Sequence, residues 1–206
     1  TEEDLEVGFR SILGRIMPIL IVGGAIMVGL FLILSPYISQ SRFVGVDTKR
    51  YYRLLSNMTD LEAARKIILE DPVAGPKAPY FLLLYLIKAL TGLSAMAVVK
   101  ITVAVPLSLM AVSAYLLVRY GTKNESMAAL SSLLAVLSFN TTVSMFAGIY
   151  ANWLALSFMI LSFALLIKAS TQNSKKILLA SIVISSLVLL THALSWIIFI
   201  AVIISY

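Results

Sequence analysis

From Met127 to Tyr206 the chain carries only three charged residues, Lys168, Lys175 and Lys176. No soluble core needs so long an apolar stretch with so little polar cover. Composition agrees. Hydrophobic residues make up 60% of the chain and charged residues 13%, against the roughly 25% charged of a soluble domain. Mean hydropathy is +0.98. The charges cluster, with six in residues 1–15 and twelve in residues 38–78. The fold class that follows is all-α: a polytopic transmembrane helix bundle, integral to the cell membrane and multi-pass.

Several function classes fall away at once. The chain has no cysteine, so it offers no disulfide framework, thiolate chemistry or cysteine metal site. Its single histidine, His192, excludes a multi-histidine zinc site within this chain. The net charge of +6 does not read as nucleic-acid binding. The basic residues flank apolar spans, where they set orientation and meet anionic membrane lipids. The chain begins without methionine and stops at Tyr206 inside an apolar run, and it reads as the N-terminal part of a longer protein.

A helix needs about 20 apolar residues to cross the hydrocarbon core. Residues 16–38 form a first span after a cytoplasmic tail, 1–15, which lacks the short basic start of a signal peptide. Further spans are expected at Met96–Val118, Met127–Phe146 and Tyr150–Ile167. The run from Ile177 to Tyr206 is too long for one untilted span. It divides at Thr191–His192 into a fifth span and the truncated start of a sixth. Residues 39–95 are then an external loop, and 96–206 hold about four more transmembrane helices, the last one cut. Within the loop, Pro79–Leu90 would reach about 18 Å as a helix, roughly half the core. It is expected to be half-inserted. Charge counting favours a spanning 79–90, but long loops cross largely regardless of charge. In both arrangements Arg119, Lys123, Lys168, Lys175 and Lys176 face the cytoplasm.

Residues 38–78 hold most of the polar chemistry. Asp47 or Thr48 can cap a helix starting near Lys49. Thr59-Asp60-Leu61-Glu62 has the form of a capping box for a second helix starting at Thr59. Its apolar stripe would be Leu61, Ala64, Ile68 and Leu69, and Asp71-Pro72 would end it. Both read as amphipathic helices on the membrane surface. If 79–90 does not cross, this segment shares a face with the loop around Asn140–Tyr150, the Thr191–His192 break and Lys88. Ionisable groups gathered there are functional candidates.

The order of motifs is one N-terminal span, then Gly45-Val46-Asp47-Thr48-Lys49-Arg50-Tyr51-Tyr52, then Lys77-Ala78-Pro79-Tyr80-Phe81. Later come Gly148-Ile149-Tyr150-Ala151-Asn152-Trp153 and Thr191-His192-Ala193-Leu194-Ser195-Trp196. This resembles the C-type superfamily of membrane glycosyltransferases, in particular the archaeal and bacterial dolichyl-phosphate-mannose–protein mannosyltransferase-like proteins. The resemblance implies that Asp47 is the catalytic base or a metal-associated carboxylate, with a divalent metal, Mg or Mn, as the cofactor. It implies that Lys77 lies near the phosphate of a polyprenyl-phosphate sugar lipid, used at the extracytoplasmic face. The acceptor would be a glycan, a protein or a lipid.

The residues carry part of that chemistry unaided. Moving a sugar from a lipid phosphate to a hydroxyl needs a base for the acceptor and positive charge beside the departing phosphate. Asp47 amid Arg42, Lys49, Arg50, Arg53 and Lys77 supplies both. Lys77 and Arg50 are the donor phosphate-binding candidates, and Tyr51, Tyr150, Asn152 and His192 the candidate substrate-site residues. Each has a plainer reading. Asp47 can simply cap a helix, and Lys77 and Arg50 can touch lipid phosphates. The tyrosines can anchor at the interface, His192 can hydrogen-bond at a helix end, and Asn152 can pack between helices. The rival class is a non-enzymatic membrane protein, a transporter or scaffold subunit. For a transporter, Pro106 is one helix break without a matching second.

Overall fold

A computed structural model describes the backbone of residues 2–39 and 44–205. It is an all-α polytopic bundle. Helix α1 (Glu2–Ser39) leads to two short helices, α2 (Thr48–Asn57) and α3 (Leu61–Glu70). A 3₁₀ turn (Gly75–Lys77) opens α4 (Ala78–Thr91). Then follow α5 (Ala95–Thr102), α6 (Ala104–Thr122), α7 (Glu125–Val136), α8 (Phe139–Ala147), α9 (Tyr150–Gln172), α10 (Lys175–Thr191) and α11 (Ala193–Ser205). Four stretches among the described residues are long and apolar enough to cross a membrane: Ile16–Pro36, Ala95–Thr122, Glu125–Ser144 and Tyr150–Gln172.

Two of these spans are broken, each for a local reason. Pro106 has no N–H to offer the carbonyl of Thr102, four residues back, and the helix interrupts at Val103 between α5 and α6. The second break, at Leu137–Ser138, divides α7 from α8. There the Thr141 hydroxyl reaches past the break to the Ala135 carbonyl at 2.9 Å. The expected loop around Asn140–Tyr150 is therefore largely helical, and Pro106 does have a companion break.

Packing follows the rules of a lipid-solvated bundle, in which small residues and interhelical hydrogen bonds bring helices together. Gly29 lets α1 approach α6 and α7, since a Cβ there would meet Val136 and Leu107. Ser162 and Ser181 cross-link α9 and α10 reciprocally, each hydroxyl donating to the other's carbonyl, at 3.1 and 2.9 Å. Ser157 on α9 reaches the Pro106 carbonyl at 3.1 Å. The outward faces stay apolar, as at Ile19, Met27 and Phe31 on α1, which are exposed to the lipid.

The segment between the first two spans is built by capping and by one lysine. Asp60, not Thr59, caps α3. Its extended backbone lets the carboxylate accept the Ala63 N–H at 2.8 Å, while the Thr59 hydroxyl donates to the same carboxylate at 3.1 Å. Those bonds hold the Asp60 carboxyl below its ordinary range. Ala64 and Ile68 turn inward as expected, joined by Ile67, but Leu61 and Leu69 are exposed. α3 and the turn-plus-α4 helix meet at 108°, so 75–91 folds back as a short bent element. Lys88 does not join the polar face near His192. Its ammonium donates to the carbonyls of Leu55 and Met58, both at 2.9 Å, and so closes the C-terminus of α2.

Which elements share a face is decided by backbone contact. Val46 N–H donates to the Ala147 carbonyl at 3.1 Å, joining the start of the surface segment to the turn between α8 and α9. A crossing by α4 would put these two turns on opposite sides, so α4 does not cross. Residues 44–94, the 147–149 turn and the 192 turn lie at one end of the bundle, and the 123–124 and 173–174 turns lie at the other. With no native cysteine, Lys66→Cys and Lys176→Cys report this directly, both side chains being exposed. A membrane-impermeant maleimide applied to intact cells is expected to label Lys66→Cys only. Labelling of both, or of neither, would overturn the arrangement.

Candidate functional site

The site begins where two glycines meet. Gly45 has φ +95° and Gly148 φ +74°, conformations that side-chain-bearing residues avoid. A Cβ on Gly45 would lie 2.6 Å from Gly148 Cα, and one on Gly148 would lie 2.8 Å from Thr48 Oγ1 and 3.1 Å from Asp47 N. Both positions therefore need glycine twice over, for dihedral and for space. Beside them three oxygens lock the turn. Thr48 donates to the Val44 carbonyl at 2.6 Å, and the Tyr150 hydroxyl donates to the same carbonyl at 3.2 Å while lying 3.1 Å from Thr48 Oγ1.

This docking decides what Asp47 does. Its N–H points at the Ala147 carbonyl, at 3.5 Å, and its own carbonyl accepts the N–H groups of Arg50 and Tyr51 at 2.9 and 3.1 Å. The backbone is thereby held at φ −79°, ψ −15°, and the side chain makes no capping hydrogen bond. An N-cap carboxylate needs extended dihedrals to reach back over the first turn. The capping reading of Asp47 fails for that reason, and Thr48 spends its hydroxyl on Val44 instead of on a cap. The freed carboxylate faces Lys77, Oδ2 to Nζ at 3.6 Å, with side chains 38% and 22% exposed. A pair this open contributes little to stability, about 0–1 kcal/mol, and is reachable from outside.

Lys77 is positioned from the other side. The Asp71 carboxylate accepts the N–H groups of Val73 and Ala74 at 2.8 and 3.0 Å, tying the turn that carries Gly75-Pro76-Lys77. The ammonium then sits 5.4 Å from the centroid of the Tyr51 ring. Tyr51, Tyr80, Phe81 and Tyr150 form an aromatic cluster beneath it, edge-on among Tyr51, Tyr80 and Phe81 and tilted at Tyr150, with centroids 5.2 to 6.5 Å apart. Burial, then the negative charge of Asp47, pushes the Tyr51 hydroxyl far above its ordinary pKa, so it stays neutral.

His192 approaches from α10–α11. Its N–H ends α10 on the Val188 carbonyl at 2.9 Å. Its ring Nδ1 accepts the Ser195 N–H at 3.3 Å, capping α11, with Ser195 Oγ 3.0 Å away. Ser195 Oγ donates on to Asn152 Oδ1 at 2.9 Å. An accepting Nδ1 leaves the proton of the neutral ring on Nε2. Burial, then the nearby Lys77 charge, lowers the His192 pKa, which favours that neutral form.

The sequence-derived residues thus divide. Asp47, Lys77, His192 and Asn152 converge on one end of the bundle. Tyr51 and Tyr150 converge too, but they are 1% and 0% exposed, so they form the floor and do not touch a bound molecule. Arg50 is exposed, and with Arg53 its charge acts on Asp71, which the Ala74 and Val73 amides already hold below the usual carboxylate range. Arg42 lies outside the described residues. Sequence reasoning missed Ser195, whose signal was its spacing of one helical turn from His192. It also missed that the glycines of two separate motifs touch. Among the described residues no group of three or more His, Cys, Asp or Glu side chains could hold a metal. The cation beside Asp47 is Lys77, so these residues alone do not fit a divalent metal.

Residues 76–206 match the family described as 6-pyruvoyl-tetrahydropterin synthase related domain, membrane protein. The chain belongs to that family. This corrects the resemblance to the C-type glycosyltransferases, which rested on the order and spacing of loose motifs. The matched stretch includes Lys77, the Gly148–Trp153 motif and His192, and it begins after the Gly45–Tyr52 motif that carries Asp47. No curated protein matches the chain, and no solved structure does.

Gly148→Ala tests the clamp that holds Asp47, with Gly92→Ala as its control. Gly92 also has positive φ, +68°, but nothing lies within 4 Å of a Cβ there. Dihedral strain alone costs about 1–2 kcal/mol. The thermal midpoint of detergent-solubilised protein is expected to fall further for Gly148→Ala, because the 45–48 turn must also undock. Equal falls would show that the glycine contact holds nothing.

Proposed function

We propose that this chain carries the site of a cell-membrane transferase that moves a sugar from a polyprenyl-phosphate-linked donor to an acceptor hydroxyl. The observation that carries the reading is the carboxylate of Asp47, which no helix cap occupies and which faces Lys77 within reach of solvent. In the transfer, the acceptor's O–H proton passes to the Asp47 carboxylate as the hydroxyl oxygen bonds to the sugar carbon. The bond from that carbon to the phosphate oxygen breaks, and the phosphate leaves with the electron pair beside the Lys77 ammonium. No step needs a metal. Asn152 and the Nε2–H of a neutral His192 are uncharged hydrogen-bonding groups of the kind that suit a polyhydroxylated substrate. The site lies at the end of the bundle away from Lys123, Lys175 and Lys176, and in this reading that end is the extracytoplasmic one. The acceptor can be a glycan, a protein or a lipid.

One observation favours a second reading, a transporter. The breaks at Val103 and Leu137–Ser138 interrupt two neighbouring spans, and discontinuous helices are a transporter feature. The two readings part at Asp47. In the full-length protein, Asp47→Asn is expected to lower transfer from a polyprenyl-phosphate sugar by about a hundred- to ten-thousand-fold, the usual worth of a general base. Asp60→Asn should leave it within a few-fold, since asparagine caps as well as aspartate. Equal rates in the two variants, at matched expression, would remove the transferase reading.

A further inference from the structure

The end of the bundle away from Asp47 carries a polar hollow. Arg119, Tyr120 and Lys123 from the end of α6, and Lys168, Thr171 and Gln172 from the end of α9, line an open cavity of about 250 Å³. No carboxylate lines it. Arg119 is neutralised within the protein: its Nη2 lies 2.6 Å from Glu125 Oε1, and the other Glu125 oxygen accepts the Tyr115 hydroxyl at 2.8 Å. Lys123 and Lys168 therefore set the charge of the hollow.

Both lysines are placed in particular ways. Lys168 is half-buried, and its ammonium donates to the Tyr120 hydroxyl at 3.1 Å and lies 4.8 Å from the centroid of that ring. A hydroxyl that accepts from an ammonium keeps its own proton to donate elsewhere. Lys123 closes α6 in the left-handed conformation, φ +57°, where glycine or asparagine is the usual residue. The matching position after α9 is Asn173, φ +48°. Favourable pairing with helix C-termini accounts for cations in these last turns, but it does not require a hollow between two helices or a tyrosine holding one ammonium in place. The spans themselves end at Thr122 and Gln172, which sets the hollow at the level of the lipid phosphates, where basic pockets between transmembrane helices hold anionic headgroups.

We propose that this cavity binds a phosphate anion, with Lys168, Lys123 and the Tyr120 hydroxyl as donors. The phosphate is supplied by an anionic lipid headgroup or by soluble phosphate. The proposal does not rest on the transferase reading. Full-length protein in neutral detergent would be titrated separately with phosphatidylglycerol, phosphatidylcholine and inorganic phosphate at matched ionic strength. Thermal midpoint and lipid retention in native mass spectrometry are the readouts. Saturable stabilisation by phosphatidylglycerol with retained lipid identifies a headgroup site; the same stabilisation by inorganic phosphate identifies one served from water. The double variant Lys123→Gln/Lys168→Gln is expected to weaken the binding at least tenfold. Lys175→Gln/Lys176→Gln, which removes the same charge from the same end of the bundle, should weaken it less than threefold. Tyr120→Phe keeps the ring but removes the donor, and should weaken it several-fold even if the lysine pair proves necessary for folding. Equal losses in the two double variants, equal binding of phosphatidylcholine, or no saturable binding of any probe would overturn the proposal.

Discussion

Two glycine backbones in contact, Gly45 against Gly148, determine how the rest of the polar end is arranged. The contact joins the turn that follows the first span to the turn that opens α9, and it admits no side chain at either position. Two hydrogen bonds to one carbonyl, that of Ala147, then hold the next two residues. The start of the surface segment, with Asp47, is held against that joint. Asp47 is turned off its own helix, and α2 is aimed so that Tyr51 falls into the aromatic floor. Lys88 closes the far end of the same helix. A ten-residue helix is marginal alone; here it is pinned at both ends by parts of the chain that are distant in sequence.

The membrane explains why such a joint is needed. Within the bilayer, backbone groups are satisfied inside each helix, and helices associate through small residues and a few hydrogen bonds. Such contacts, as at Gly29 or Ser162–Ser181, place helices beside one another without directing any group to an end. Ends are where backbone donors and acceptors are left over. His192 makes the point: its N–H stops α10, its ring caps α11, and Ser195 hands the connection on to Asn152 of α9. The polar end of this protein is assembled largely from helix termini.

That division of labour also sets what could be read from the residues. Apolar length made the spans legible, and Pro79 with Gly92 bounded the half helix closely. Asp60 capping was legible to within one residue, because a local pattern governs it. Asp47 looked the same locally, an aspartate one residue before a helix, and behaves oppositely. Its dihedrals are imposed by Ala147, a hundred residues away, and no local pattern carries that. Lys88 failed as a site residue for a related reason. Its partners are the free carbonyls of another helix, and nothing around Lys88 in the sequence marks them. Tyr51 and Tyr150 were rightly drawn to the same end. Their burial depends on how α2 and α9 face each other, so a role in contacting substrate could not be separated from a role in the floor.

The family assignment has the same physical lesson in it. A chain with one anchor, a charged amphipathic segment, a proline-opened half helix and several spans obeys constraints that the bilayer places on any protein of that plan. Order and spacing of such elements therefore recur without common descent, and they led to the wrong family. What does not follow from the bilayer is a carboxylate held away from its own helix cap and beside a lysine, on a pair of glycines that tolerate nothing larger. A structural surface helix needs none of those features, since Asp60 one helix later shows the ordinary solution to the same local problem. The contrast between these two aspartates, on one segment and of one charge, separates a carboxylate that its backbone holds off the helix from one that caps it, and the proposed site rests on that difference.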